Sequence, residues 1–115
     1  MYKYKEAINI LINRFSELRE VYEKNVSDYE GLPYVFYESV FLKYILDIAT
    51  NRDDDKLRKI FLLIEDILSS GDEEIKNLIG VSIVESLYYE KETKSKKVLE
   101  NYFGEITKKS YEDCF

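Results

Sequence analysis

The chain has no histidine and no tryptophan, and in 115 residues it has one cysteine, one proline and four glycines. Each shortage excludes something. Without histidine there is no side chain of the usual kind for acid/base work at neutral pH, and the commonest metal ligand is missing. A single cysteine, Cys114, excludes an internal disulfide framework and a cysteine-rich zinc site. Scarce proline and glycine suit long helices joined by short turns. Apolar runs are short, against the ~20 residues that a membrane-spanning helix needs. There is no Gly-x-Ser-x-Gly nucleophile motif and no glycine-rich phosphate cradle. The polar opening Met1–Tyr2–Lys3–Tyr4–Lys5–Glu6 leads straight into an amphipathic pattern, without a secretory apolar segment. A cytoplasmic, non-enzymatic protein with no cofactor is expected.

What is present is a balanced globular composition, 45% hydrophobic and 35% charged, in a length that fits one domain over residues 1–115. The net charge of −6 is unevenly spread. Residues 1–24 carry +1, residues 25–90 carry −8 and residues 91–115 carry +1. That distribution disfavours nucleic acid, whose phosphates need a basic face, and favours a basic protein partner.

The periodicity is helical throughout. Tyr4, Ala7, Ile8, Leu11, Ile12, Phe15, Leu18, Tyr22 and Val26 recur at steps of three and four, predicting one long helix over 4–25. Residues 27–32 read as a loop, with Gly31 as breaker. Pro33 then opens a core helix over 33–51. The most regular stretch is 53–90, which reads as two helices folded back on each other across Ser69–Ser70–Gly71. Leu57, Ile60, Phe61, Ile64, Ile67 and Leu68 form the stripe of the first. Gly71 is expected in a left-handed conformation just past its end. Asp72 is expected to cap the second, which is apolar on several sides and therefore central. Residues 91–97 are polar. Thr93 is a candidate cap for a shorter helix bearing Val98, Leu99, Tyr102 and Phe103, with Gly104 as its terminator. A last helical turn or two is expected to dock by Tyr111 and Phe115. The fold class is therefore all-α: a bundle of about five to six antiparallel helices around a HEAT-like hairpin, without the second copy that a solenoid requires.

The carboxylates decide between chemistry and docking. Asp53 and Asp55 have calcium-loop spacing, but the following glycine and the distal glutamate are out of register. A di-iron bundle would need Glu-x-x-His, which this chain cannot supply. No metal and no catalytic residue is expected. Capping accounts for Asp53, Asp54 and Asp55 and for Asp72, Glu73 and Glu74. It does not account for Glu65, Asp66 and Glu85. Eleven tyrosines suit an interface, each having an apolar ring, a polar tip and little entropy to lose. The candidate partner-binding set is Glu38, Asp47, Asp53, Asp54, Asp55, Glu65, Asp66, Glu85, Tyr37, Tyr44, Tyr88 and Tyr89.

Three stretches carry a resemblance. They are Ser70–Gly71–Asp72–Glu73–Glu74–Ile75–x–Asn77–Leu78–Ile79–x–Val81–Ser82–x–x–Glu85–x–Leu87, Leu32–Pro33–Tyr34–Val35–Phe36, and Tyr102–Phe103–Gly104–x–x–Thr107–Lys108. Together they resemble a family of small helical bacterial immunity proteins of polymorphic and contact-dependent growth-inhibition toxin systems, over residues 32–115. The resemblance implies an inhibitor that binds the C-terminal domain of its cognate toxin, such as a basic nuclease, without turnover. A helical scaffold or adaptor that binds another protein or self-associates is the alternative. A monomer or weak homodimer is expected in either case.

Overall fold

The computed structural model describes residues 1–90 and 94–114, apart from the side chain of Ser95. The expected cap at Thr93 and anchor at Phe115 lie outside the described residues. Within them the fold is all-α, and the one β-type pairing is a single bridge between Tyr2 and Gly71.

The expected helix over 4–25 is broken. A 3-10 turn (Tyr4–Glu6) leads into α1 (Ala7–Arg14), and α2 (Ser16–Lys24) follows only after Phe15 has gone extended, at φ −127° and ψ 107°. The break turns the Phe15 ring into the core, with ring centroids 6.1 Å from Phe41 and 5.7 Å from Tyr44. The Arg19 guanidinium stabilises the interruption. Its Nε donates to the Ile12 carbonyl at 3.1 Å and its Nη2 to Asn13 Oδ1 at 2.9 Å. The expected loop over 27–32 overlaps a single helical turn, α3 (Val26–Tyr29). Gly31 then reverses the chain at φ 72°, where a side chain would be strained.

Helix α4 runs over 33–51, as the sequence predicts, and Pro33 occupies its first turn. It is not uniform. An α turn (Pro33–Phe36) widens into a π-type stretch (Tyr37–Phe41) before α geometry resumes (Leu42–Asn51). The buried residues explain why. They come as Phe36 and Tyr37, Val40 and Phe41, Ile45, then Ile48 and Ala49. A spacing of four overshoots the 3.6-residue turn by roughly 40° per step. One widened turn absorbs that drift and keeps every pair on the core side.

Helix α5 (Asp54–Ser70) is regular and buries Leu57, Ile60, Phe61, Leu63, Ile64 and Ile67. Each such side chain contributes roughly 1.5–3 kcal/mol on leaving water. Asp53 caps it, accepting the Lys56 amide at 3.2 Å. The last helix of the hairpin, α6, again contains a π-type stretch (Glu73–Ile79, Gly80–Glu85, Ser86–Tyr88). Its buried pairs, Leu78 with Ile79 and Ser82 with Ile83, are again four apart. The two π stretches pack on each other.

Gly71 departs from expectation. Its φ is −80°, extended rather than left-handed. Glycine is required there by space: a Cβ would meet Ile75 Cγ2 at 2.5 Å and the Ile67 carbonyl oxygen at 2.6 Å. That extended backbone lets the first residues of the chain dock. The Asp72 amide donates to the Tyr2 carbonyl at 2.9 Å, and Asp72 Oδ2 accepts the Tyr4 amide at 3.0 Å. Asp72 Oδ1 meanwhile caps α6 through the Ile75 amide at 2.9 Å. One carboxylate thus serves two chain segments, and these amides hold its pKa below the usual aspartate value.

Two shorter helices complete the described chain, α7 (Lys94–Glu100) and α8 (Glu105–Glu112). Lys96 is buried, and its ammonium donates to the Tyr88 and Glu90 carbonyls at 2.9 and 3.1 Å, satisfying the end of α6. Counting α4 and α6 as continuous gives eight helices among the described residues, more than the five to six expected. The excess comes from the Phe15 break and the single turn α3.

Candidate functional site

Helices α4 and α6 each run antiparallel to α5 and hence parallel to each other. Side-chain bonds pin their seam at two levels. Asn77 Nδ2 donates to the Tyr34 hydroxyl at 2.7 Å, and Ser82 Oγ donates to Glu38 Oε1 at 3.5 Å. Beside this seam the solvent edge of α6 is a row four residues apart: Asn77, Val81, Glu85 and Tyr89, all exposed. Val81 is 40% exposed and Tyr89 68%, and Val35 on α4 is 41% exposed. The face is therefore apolar at Val35 and Val81, aromatic at Tyr34 and Tyr89, and acidic at Glu38 and Glu85. Neither carboxylate forms an ion pair with a described residue. The Tyr89 hydroxyl donates to the Cys114 carbonyl at 3.2 Å, which ties the far end of the row to the residues after α8. Partial burial, with Glu85 and Asp113 nearby, raises the pKa of the Cys114 thiol.

The twelve candidate residues do not form one surface. Glu38, Glu85 and Tyr89 share the α4–α6 face. Tyr88 lies behind it, half-buried, with its ring 5.3 Å from that of Tyr111. Asp47 and Tyr44 belong to a separate groove of ≈ 320 Å³ between α2 and α4, also lined by Glu17, Leu18, Val21 and Lys43. Asp53 is half-buried and spent as a cap. Asp54 accepts the Tyr102 hydroxyl and pairs with Arg58 at 2.9 Å. Asp55 and Asp66 are exposed on α5.

Two candidates are corrected outright. Tyr37 has no exposure at all, and its hydroxyl donates to the Ala7 carbonyl at 2.8 Å. It joins α1 to α4 inside the core and cannot touch a partner. Burial raises its pKa well above the usual tyrosine value. Glu65 is half-buried and does cap a helix, though not its own. Its Oε2 accepts the Ile106 amide at 2.9 Å, and its Oε1 accepts the Thr107 amide at 2.9 Å and the Thr107 hydroxyl at 2.8 Å. These are the orphan donors that begin α8. Desolvation opposes the charge on Glu65, but the three hydrogen bonds outweigh it and lower its pKa. Gly104 is there to leave room, since a Cβ would stand 2.4 Å from that carboxylate. Gly104 thus precedes α8 rather than simply ending α7.

Sequence reasoning missed one ionic cluster. Glu17 on α2 accepts the Lys56 ammonium at 2.6 Å and the Tyr44 hydroxyl at 3.0 Å. Chiefly through Lys56, its pKa falls to about 2. Burial and the bond to Glu17 push the Tyr44 hydroxyl the other way, above its usual range. The local sequence marks Glu17 and Lys56 only as wet-side residues, and no signal short of the fold joins positions 39 apart.

Among the described residues no group of three or more histidine, cysteine, aspartate or glutamate side chains is arranged to hold a metal, and no helix is long and apolar enough to cross a membrane. The site can bind by shape and charge on rigid helices. No curated protein and no solved structure matches the chain. Residues 8–115 match a domain of unknown function, DUF7674, and the chain belongs to that family.

Proposed function

We propose that this protein is a bacterial immunity protein, which binds the C-terminal domain of a cognate toxin in the cytoplasm and neutralises it by occupancy. The observation that carries the reading is the α4–α6 face. It exposes Val35, Val81 and Tyr89 beside Glu38 and Glu85, and neither carboxylate has an ion-pair partner among the described residues. Apolar and aromatic side chains on rigid helices supply contact area at little entropic cost. Unpaired carboxylates steer a basic partner, in keeping with the net charge of −6. The resemblance of residues 70–87 to toxin-immunity proteins supports the same reading, and that segment contributes Asn77, Val81 and Glu85 to this face.

The test is co-expression with the exported protein encoded next to it. Growth should be rescued, and the purified toxin domain should form a stable complex whose association rate falls as salt rises. Glu38→Lys with Glu85→Lys should slow association at low salt by about tenfold or more. Neither rescue nor a complex would end the proposal, and full binding by the double variant would move the interface off this face.

A further inference from the structure

A second surface, away from the α4–α6 seam, carries its own pattern. Leu62 stands at the middle of α5 and is 66% exposed, while the other aliphatic residues of that helix are mostly buried. A concavity opens on each side of it. One, of ≈ 180 Å³, is lined by Arg14, Phe15, Lys59 and Leu62. The other, of ≈ 310 Å³, includes Phe61, Tyr102 and Gly104. Within four residues of Leu62 the exposed charges are ordered by sign, and Arg58 also pairs with Asp54 on its own helix at 2.9 Å. Arg58 lies four residues before it and Asp66 four residues after it, both exposed.

We infer that the occupant of this face is a second copy of this chain, the two α5 helices crossing antiparallel about a two-fold axis at Leu62. In such a crossing each residue before the axis meets the one equally far beyond it on the other copy, and the contact occurs twice. Arg58 of each copy then faces Asp66 of the other. Leu62 of each copy enters a concavity beside the opposite Leu62, in the way that packed helices seat ridges in grooves. A uniformly acidic partner would be opposed by Asp66, and a uniformly basic one by Arg58 and Lys59. A stripe that is basic one turn before its centre and acidic one turn after it is complementary to itself when inverted, and the crossing would bring Arg58 to Asp66 of the other copy in addition to Asp54 of its own helix. A single helix crossing falls at the small end of specific interfaces, below about 1,200 Å². The dimer is accordingly weak, with Kd on the order of 10 μM or higher. It leaves the α4–α6 face open, so its failure would not touch the proposed function.

Sedimentation equilibrium of the full chain, up to about 1 mM, measures the association. A monomer–dimer equilibrium is expected. Leu62→Glu, Arg58→Glu and Asp66→Arg should each raise Kd by about tenfold or more, with unchanged circular dichroism. The decisive sample is an equimolar mixture of the Arg58→Glu and Asp66→Arg chains. Each repels its own kind across the axis, but a mixed pair matches charge at both contacts and should regain dimer. A monomer at every concentration, a dimer indifferent to the three substitutions, or a mixture no better than its components would overturn the inference.

Discussion

Glu65 on α5 and Glu85 on α6 look alike in sequence. Each is a carboxylate amid apolar neighbours on the same hairpin, and neither sits at the start of its own helix. In the fold they do opposite things. Glu65 is turned toward the beginning of α8 and takes three hydrogen bonds from Ile106 and Thr107. Glu85 is exposed in a row with Asn77, Val81 and Tyr89. The difference teaches that a carboxylate is structural when another segment offers it orphan amides, and is available to a partner when none does.

Breaking the cap is the strongest way to test that contrast. Glu65→Ala strands the first amides of α8 and should lower unfolding stability by about 2 kcal/mol, read from urea midpoints. Gly104→Ala should cost somewhat less, about 1–2 kcal/mol, because the new methyl displaces the carboxylate it would otherwise touch. The pair should cost barely more than Glu65→Ala alone, since both remove the same bonds. Additive costs would show that Gly104 serves some other purpose.

Acid sharpens the comparison on the structural side. A lowered folded-state pKa means stability that is fully present above the ordinary value and is lost as pH falls through the lowered one. For Glu17 the window runs from its ordinary 4.5 down to about 2. Glu65 loses its contribution over the acid range just below the ordinary glutamate value, since its pKa is also lowered. Titrating wild type, Glu17→Gln and Glu65→Gln from neutral pH downward should show a shallower acid loss in both variants. The Glu17 effect should be modest, because the pair with Lys56 is roughly half exposed and screened by solvent. The smallest effect belongs to Glu85→Gln, which should change stability by no more than about 0.5 kcal/mol. A larger loss would mean that Glu85 belongs with Glu65 after all.

Much of the fold was legible because it is local. The bounds of α4, the antiparallel hairpin and the caps at Asp53 and Asp72 all follow from residues within a few positions of each other. The π-type stretches were legible in principle, since buried pairs four apart conflict with a 3.6-residue turn. Reading one helix as core and the other as apolar on several sides passes over that conflict. The candidate site was less legible. The partners of Glu65 lie 41 and 42 residues away, and Tyr37 meets Ala7 across 30. The break at Phe15 was hidden for a similar reason, because its ring packs on Phe41 and Tyr44, which the next long helix delivers.

The docking of Tyr2 and Tyr4 onto the turn at Gly71 and Asp72 has a consequence for the order of assembly. The Tyr4–Asp72 bond spans 68 positions. As the chain leaves the ribosome its opening segment has nowhere to settle until the second half of the hairpin has emerged. Closing so long a loop is entropically slow, whereas α5 and α6 meet across a turn of a few residues. The hairpin should therefore nucleate and the first residues arrive late. Mutations at Asp72 that spare the α6 cap but lose the Tyr4 amide should accelerate unfolding while leaving the folding rate nearly unchanged.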